Sequence, residues 1–276
     1  MTKTSYQPRF LAAVLIGAAA LAIGTLSAAP QVAVGRTEGL VHGFLLVRSA
    51  DGEPIADGDL SQIARGDHVT VRMILRFRDG SLQDETTVYS QRGRFVLLSE
   101  HLIQRGPQFK HPLEMTVERA SGVVTVNYMD DNGEDKVATE KMQLPLDLAN
   151  GMVPTLLRQV QAHTPKITAS MVVATPKARI VKLEITPNGE DPFVVGVSNH
   201  KALRYDVHIE LGGAAGVLAP VVGKRPPDTH VWIEQGEVPM FVKSEGPTFE
   251  GGPVWQIELA SPVWPQASAK GSKDSR

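Results

Sequence analysis

The sequence predicts a mainly β protein: a long antiparallel meander forming a curved sheet or half-barrel, with one amphipathic helix packed on it. Three observations lead there. Most of the chain alternates apolar and polar residues with period two. Glycine-containing turn pairs sit between the alternating runs. A single stretch carries a 3.6-residue period instead.

The N-terminus comes first and is not part of that pattern. Lys3 and Arg9 give a small positive start, an apolar run extends from Phe10 to Ile23, and the small residues Ser27, Ala28 and Ala29 follow. Charge, apolar run and small-residue exit make the layout of a secretory signal peptide. The run is shorter than the ~20 residues of a membrane span, so cleavage is expected, between Ser27 and Pro30. Residues 1–29 are therefore read as a signal, and the protein as periplasmic or secreted. No cysteine is available for a lipid anchor. The expected organisation is then one β-rich domain over 30–265 and a disordered polar tail over 266–276.

Within the domain, residues 68–77 alternate clearly. Val69, Val71, Met73, Leu75 and Phe77 share one face; His68, Thr70, Arg72 and Arg76 share the other. Residues 203–211 repeat the pattern, with Leu203, Tyr205, Val207 and Ile209 opposite Arg204, Asp206, His208 and Glu210. Shorter strands are expected over 40–47, 85–90, 94–103, 113–119, 123–129, 167–174, 179–185, 193–197, 230–234 and 254–259. Asp79-Gly80, Ser121-Gly122, Asn132-Gly133 and Asn188-Gly189 supply hairpin turns between them. The helix is expected near 150–162. Val153, Leu156, Leu157 and Val160 form its apolar stripe, Asn150 its N-cap, and Pro154 lies in its first turn.

Composition narrows the function classes. Lys and Arg number 28 against 30 Asp and Glu, for a formal charge of −2. Such a balance gives no electrostatic footprint for nucleic acid. The absence of cysteine removes disulfides, thiol chemistry and cysteine-based zinc sites. No phosphate loop, dinucleotide fingerprint or nucleophile elbow occurs, so no cofactor is expected and catalytic residues stay unknown. The acidic run from Asp130 to Asp135 lacks the ligand spacing of a calcium loop and reads as a charged hairpin tip. The eight histidines form no metal-ligand pattern, so no metal is expected. Adjacent Asp84 and Glu85 must point to opposite faces of their strand.

Two segments stand out. Residues 211–223, from Leu211 to Gly223, carry no charge and then meet Lys224-Arg225-Pro226-Pro227. They read as a core strand with a tightly packed loop, or as an apolar flap touching a membrane. The region 241–264 holds Phe249, Trp255 and Trp264 among glycines and a proline, either sealing the end of the sheet or stacking on a ligand.

Phe77-Arg-Asp-Gly-Ser-Leu, Leu144-Pro-Leu-Asp-Leu-Ala-Asn-Gly-Met and Lys201-Ala-Leu-Arg-Tyr resemble an uncharacterised group of bacterial periplasmic β proteins with a domain of unknown function. That group is similar in outline to the LolA-like lipoprotein-carrier half-barrel. The resemblance spans about residues 40–264 in order of elements, with 211–227 as an addition. It implies a curved sheet around a helix with a greasy concave interior, which in the carriers shields an acyl chain.

The leading functional expectation is an envelope protein that binds or carries an apolar or amphipathic, lipid-like ligand in a β-sheet cavity. The expected lining is Met73, Leu75, Phe77, Leu156, Tyr205, Val207, Ile209 and Trp255. Two alternatives stand beside it. One is a hydrolase whose Arg72, Arg76, Glu100, His101 and His208 converge only in the fold. The other is an envelope scaffold with exposed apolar patches and an open sheet edge. The sequence leaves the oligomeric state open.

Overall fold

Fifteen strands form one antiparallel sheet in the computed structural model, which describes residues 32–160, 163–210 and 227–264. The signal segment, the apolar stretch 211–226 and the tail from 265 lie outside the described residues.

The sheet is two meanders joined edge to edge. The first runs β1 (Val41–Arg48), β2 (Pro54–Arg65), β3 (His68–Phe77), β4 (Leu82–Ser90), β5 (Val96–Arg105), β6 (Leu113–Glu118), β7 (Val123–Met129) and β8 (Asp135–Lys141). A 3-10 turn (Asn150–Met152) and α1 (Val153–Arg158) follow. The second meander holds β9 (Ile167–Val173), β10 (Arg179–Val195), β11 (Ser198–Glu210), β12 (Thr229–Glu234), β13 (Met240–Gly246) and β14 (Trp255–Leu259), with the short β15 (Pro262–Val263). β14 pairs with β1, so the last long strand closes onto the first, while β9 and β15 both pair with β10. β8 ends the path without pairing to β15, and the sheet does not close into a barrel.

Curvature follows from what the short helical segment touches. The 3-10 turn packs on β4, β5 and β9, whereas α1 packs on β12 and β13. Those strands are far apart in the sheet order. A six-residue helix is only about 9 Å long, so the sheet has to curl around it. The odd-numbered residues of β3 and β11 face inward: Val69, Leu75, Phe77, Leu203, Tyr205 and Val207 are all buried in one continuous core.

Alternation located β3 and most other strands, but four were missed. β2 hides because Asp57-Gly58-Asp59 resembles a turn; in fact Gly58 pairs with Leu75, and a Cβ there would lie 2.5 Å from the Ile74 carbonyl oxygen. β8 is almost entirely exposed, so nothing in its sequence needs to alternate. β13 and the two-residue β15 were also unassigned.

Three local expectations are corrected. Asn188-Gly189 does not turn the chain: β10 runs through it, with an irregularity between Pro187 and Glu190, because a bulge absorbs the positive φ of Gly189 without ending the pairing. Of the Asn132-Gly133 pair only Gly133 has positive φ, so the tip is not the paired left-handed turn expected. Asp130 Oδ1 instead accepts the Asn132 and Glu134 amides at 2.9 and 3.0 Å. Asn150 caps nothing. Its side chain donates to the Val172 carbonyl and accepts the Val172 amide, each at 2.9 Å, which docks the turn onto β9.

Candidate functional site

The residues expected to line a cavity come together on the concave face, but as a packed core: of the eight, only Leu156 borders the small cavity left inside. Leu75, Phe77, Leu156, Tyr205, Val207 and Trp255 belong to one buried cluster, and Met73 and Ile209 pack against it half-buried. Tyr205 is fully enclosed, and burial pushes its hydroxyl up to about 12. Trp255 joins Phe77, Phe109 and Phe249 in an aromatic group with centroid separations of 4.8–6.0 Å, which fills one end of the curl. Trp264 lies apart, on the convex side. There it packs with Phe193 and Trp232, and the Lys243 ammonium sits 4.0 and 4.3 Å from the Trp232 and Trp264 rings.

Asn150–Arg158 is the plug of this interior. Leu156, Leu157 and Val160 turn into the core as the 3.6-residue stripe requires. An interior cavity of about 10 Å³ remains, lined by Val32, Phe95, Leu148, Met152, Leu156 and Ala169 among others. That is room for about one water. A wider depression of about 300 Å³ opens outside, between Lys110, His111 and the β7–β8 tip.

The interior is not uniformly apolar, and sequence reasoning missed this. Inward-facing positions of β2, β4 and β5 include Gln62, Gln83, Thr87, Glu100 and Gln104, all buried. Gln104 donates to Gln83 Oε1 at 3.1 Å. At the C-terminal end of the plug, Arg158 Nη2 lies 2.8 Å from Glu38 Oε2, 3.0 Å from Gln62 Oε1 and 3.3 Å from Thr155 Oγ1. Gln62 and Gln159 also donate to Glu38, at 3.0 and 2.9 Å. A polar clasp thus fastens one end of the plug to β2 and the segment before β1.

Under the other end lies a pair of acids. Glu85 and Glu100 point inward from β4 and β5, and their carboxyls interact directly. Burial pushes Glu85 up to about 7, although part of its side chain remains accessible. Glu100 is raised well above the ordinary carboxylate range by burial and by the charge of Glu85. Gly151 of the plug rests directly on Glu85 and Thr87: a Cβ there would come within 2.5 Å of Glu85 Oε1 and 2.3 Å of Thr87 Oγ1. Only glycine permits that approach. The signal was present in the sequence as period-two positions 83, 85 and 87 continuing the inward face of β4, yet their polarity argued for solvent.

Of the residues considered for a hydrolase, Arg72, Arg76 and His101 share the outer face of β3–β5 with Asp84, whereas Glu100 faces inward and His208 stands on β11. Arg72 and Arg76 lie on the outer face in ion pairs with Asp84 (2.6 Å) and Asp59 (2.7 Å). His101 pairs with Glu114 at 2.6 Å and His208 with Asp228 at 2.7 Å. Glu100, one residue from His101, faces the opposite way.

No family model matches the chain, and no curated protein matches it. Among solved structures, a β-barrel-like protein of a domain of unknown function from Brucella abortus is similar, with 7% identity and a TM-score of 0.44 over 83% of this chain and 100% of that one. The likeness is one of outline and assigns no residue a role.

Proposed function

We propose that this is an exported envelope protein that binds an apolar or amphipathic, lipid-like ligand on its concave face, the ligand taking the place of the plug. One observation carries the reading: an open, curled sheet whose inner face is apolar except for a polar strip on β2, β4 and β5 is covered by a helical segment of only nine residues. Both ends of that segment rest on polar groups, the Arg158 clasp and the Glu85–Glu100 pair. A segment so short adds little helical stability of its own and is held by tertiary contacts. An acyl chain entering in its place would gain about 0.8 kcal/mol per buried methylene. The N-terminal signal layout supports export.

The scaffold alternative finds less support at the β8 edge, where Asp135, Lys136, Glu140 and Lys141 are exposed. Charge on an edge strand discourages strand addition.

Native mass spectrometry of protein purified from its host envelope is the test. The expected spectrum contains an added mass that organic extraction removes and that dodecyl-chain compounds replace. A spectrum of bare protein that also takes up no dodecyl compound would overturn the reading.

A further inference from the structure

We infer that the Glu85–Glu100 pair is the polar end of the ligand site and selects a primary ammonium head group on an aliphatic chain. This rests on the proposed binding function and names the chemistry of its ligand.

The argument starts from what surrounds the two acids. Across the strands, Glu85 faces Met73 and Leu102, while Glu100 faces Thr87 and Val117. Gly151 covers Glu85 and Thr87 from the plug. No basic side chain stands among these neighbours. The cations on the adjoining elements are engaged elsewhere. Lys182 lies 3.0 Å from Asp147 and Arg158 2.8 Å from Glu38. Arg119 donates to the carbonyls of Leu97, Leu144 and Pro145. Glu100 Oε2 is buried without a hydrogen-bond partner among the described residues.

A buried acid beside a half-buried one, without a counter-charge, is costly to ionise, and an orphaned carboxylate oxygen in a native interior calls for a reason. A cation supplies it. A primary ammonium presents three N–H donors, and the site offers three acceptors in one place: Glu85, Glu100 and the Thr87 hydroxyl. Met73, Leu102 and Val117 beside them suit the first methylenes of a chain. An anionic head would instead meet the acids with like charge, which is unfavourable. A trimethylammonium head carries no N–H to give.

The experiment compares dodecylamine, dodecyltrimethylammonium, dodecanol and dodecanoate below their aggregation limits, by calorimetry on the mature chain. Dodecylamine is expected to bind at least about tenfold tighter than the other three, the worth of a charge-assisted hydrogen bond. Glu100→Gln and Glu85→Gln should each abolish the preference for dodecylamine over dodecanol, and circular dichroism reports that the variants are folded. Short-chain phosphatidylethanolamine against phosphatidylglycerol then separates a lipid head group from a free amine as the source of the ammonium. Equal binding of all four dodecyl compounds would overturn the head-group inference and leave the binding function standing. No binding by any of them would overturn the binding function itself.

Discussion

Replacing Arg158 with methionine is expected to destabilise the protein by roughly 3–5 kcal/mol, the cost of stranding one member of a buried ion pair. The side chains of Arg158 and Glu38 are only 13% and 9% exposed. Without the guanidinium, Glu38 keeps the amide donors of Gln62 and Gln159 but loses its counter-charge in a place water does not reach freely. Gln62 Oε1 and Thr155 Oγ1 lose a partner as well. The midpoint of urea unfolding, at unchanged slope, measures the loss. The double variant Arg158→Met with Glu38→Gln should recover much of it, because the stranded charge is then gone. A double variant no more stable than the single would show that the cost arises from lost packing instead.

Stability is expected to fall as pH rises from 5 to 9, and Glu100→Gln should remove much of that fall. The sign follows from the direction of the shifts. Glu85 and Glu100 hold their protons more tightly in the fold than in the unfolded chain. Below the ordinary value of 4.5 both states are protonated and the pair is neutral in its effect. From about 4.5 upward the unfolded chain gives up protons that the fold keeps, so stability declines until the raised folded values are passed, by about 7 for Glu85 and higher for Glu100, and is level beyond them. For Glu85 alone, a shift from 4.5 to about 7 corresponds to roughly 3 kcal/mol. The depressed carboxyls Asp79, Asp84, Asp130 and Glu184 act in the opposite sense and at lower pH. They are ionised in both states throughout this window. Thermal midpoints of the parent and Glu100→Gln at matched pH isolate the pair, since all other groups are common to both. Parallel curves for the two proteins would contradict the assignment.

The fold was legible wherever one sheet face is buried and the other is wet. Residues 68–77 and 123–129 alternate, and the structure makes strands of them with those bounds. Where that contrast fails, the sequence goes quiet. β8 is wet on both faces, and β2 needs Gly58 for a close approach that reads locally as a turn. On the convex side, Phe193, Ala202, Trp232 and Val242 form a second small core, so strands β10 to β13 bury residues on both faces. The apolar part of the candidate site was visible for the same reason that the strands were. Its polar part was not, because a carboxylate at an inward position looks like an interruption until its neighbours are placed. Glu85 and Glu100 are fifteen residues apart in the chain, and only the pairing of Thr87 with Glu100 brings them together.

The central claim is that the plug must leave the concave face for a ligand to enter, and a reversible staple tests it most directly. The chain has no cysteine, so Asn150→Cys with Val172→Cys creates its only pair, at positions already joined by two hydrogen bonds of 2.9 Å between plug and β9. Dodecylamine and dodecanol titrations are then run on the oxidised and the reduced protein. The account predicts that the oxidised form binds neither compound and that reduction restores binding. Equal affinity in the two redox forms would contradict it.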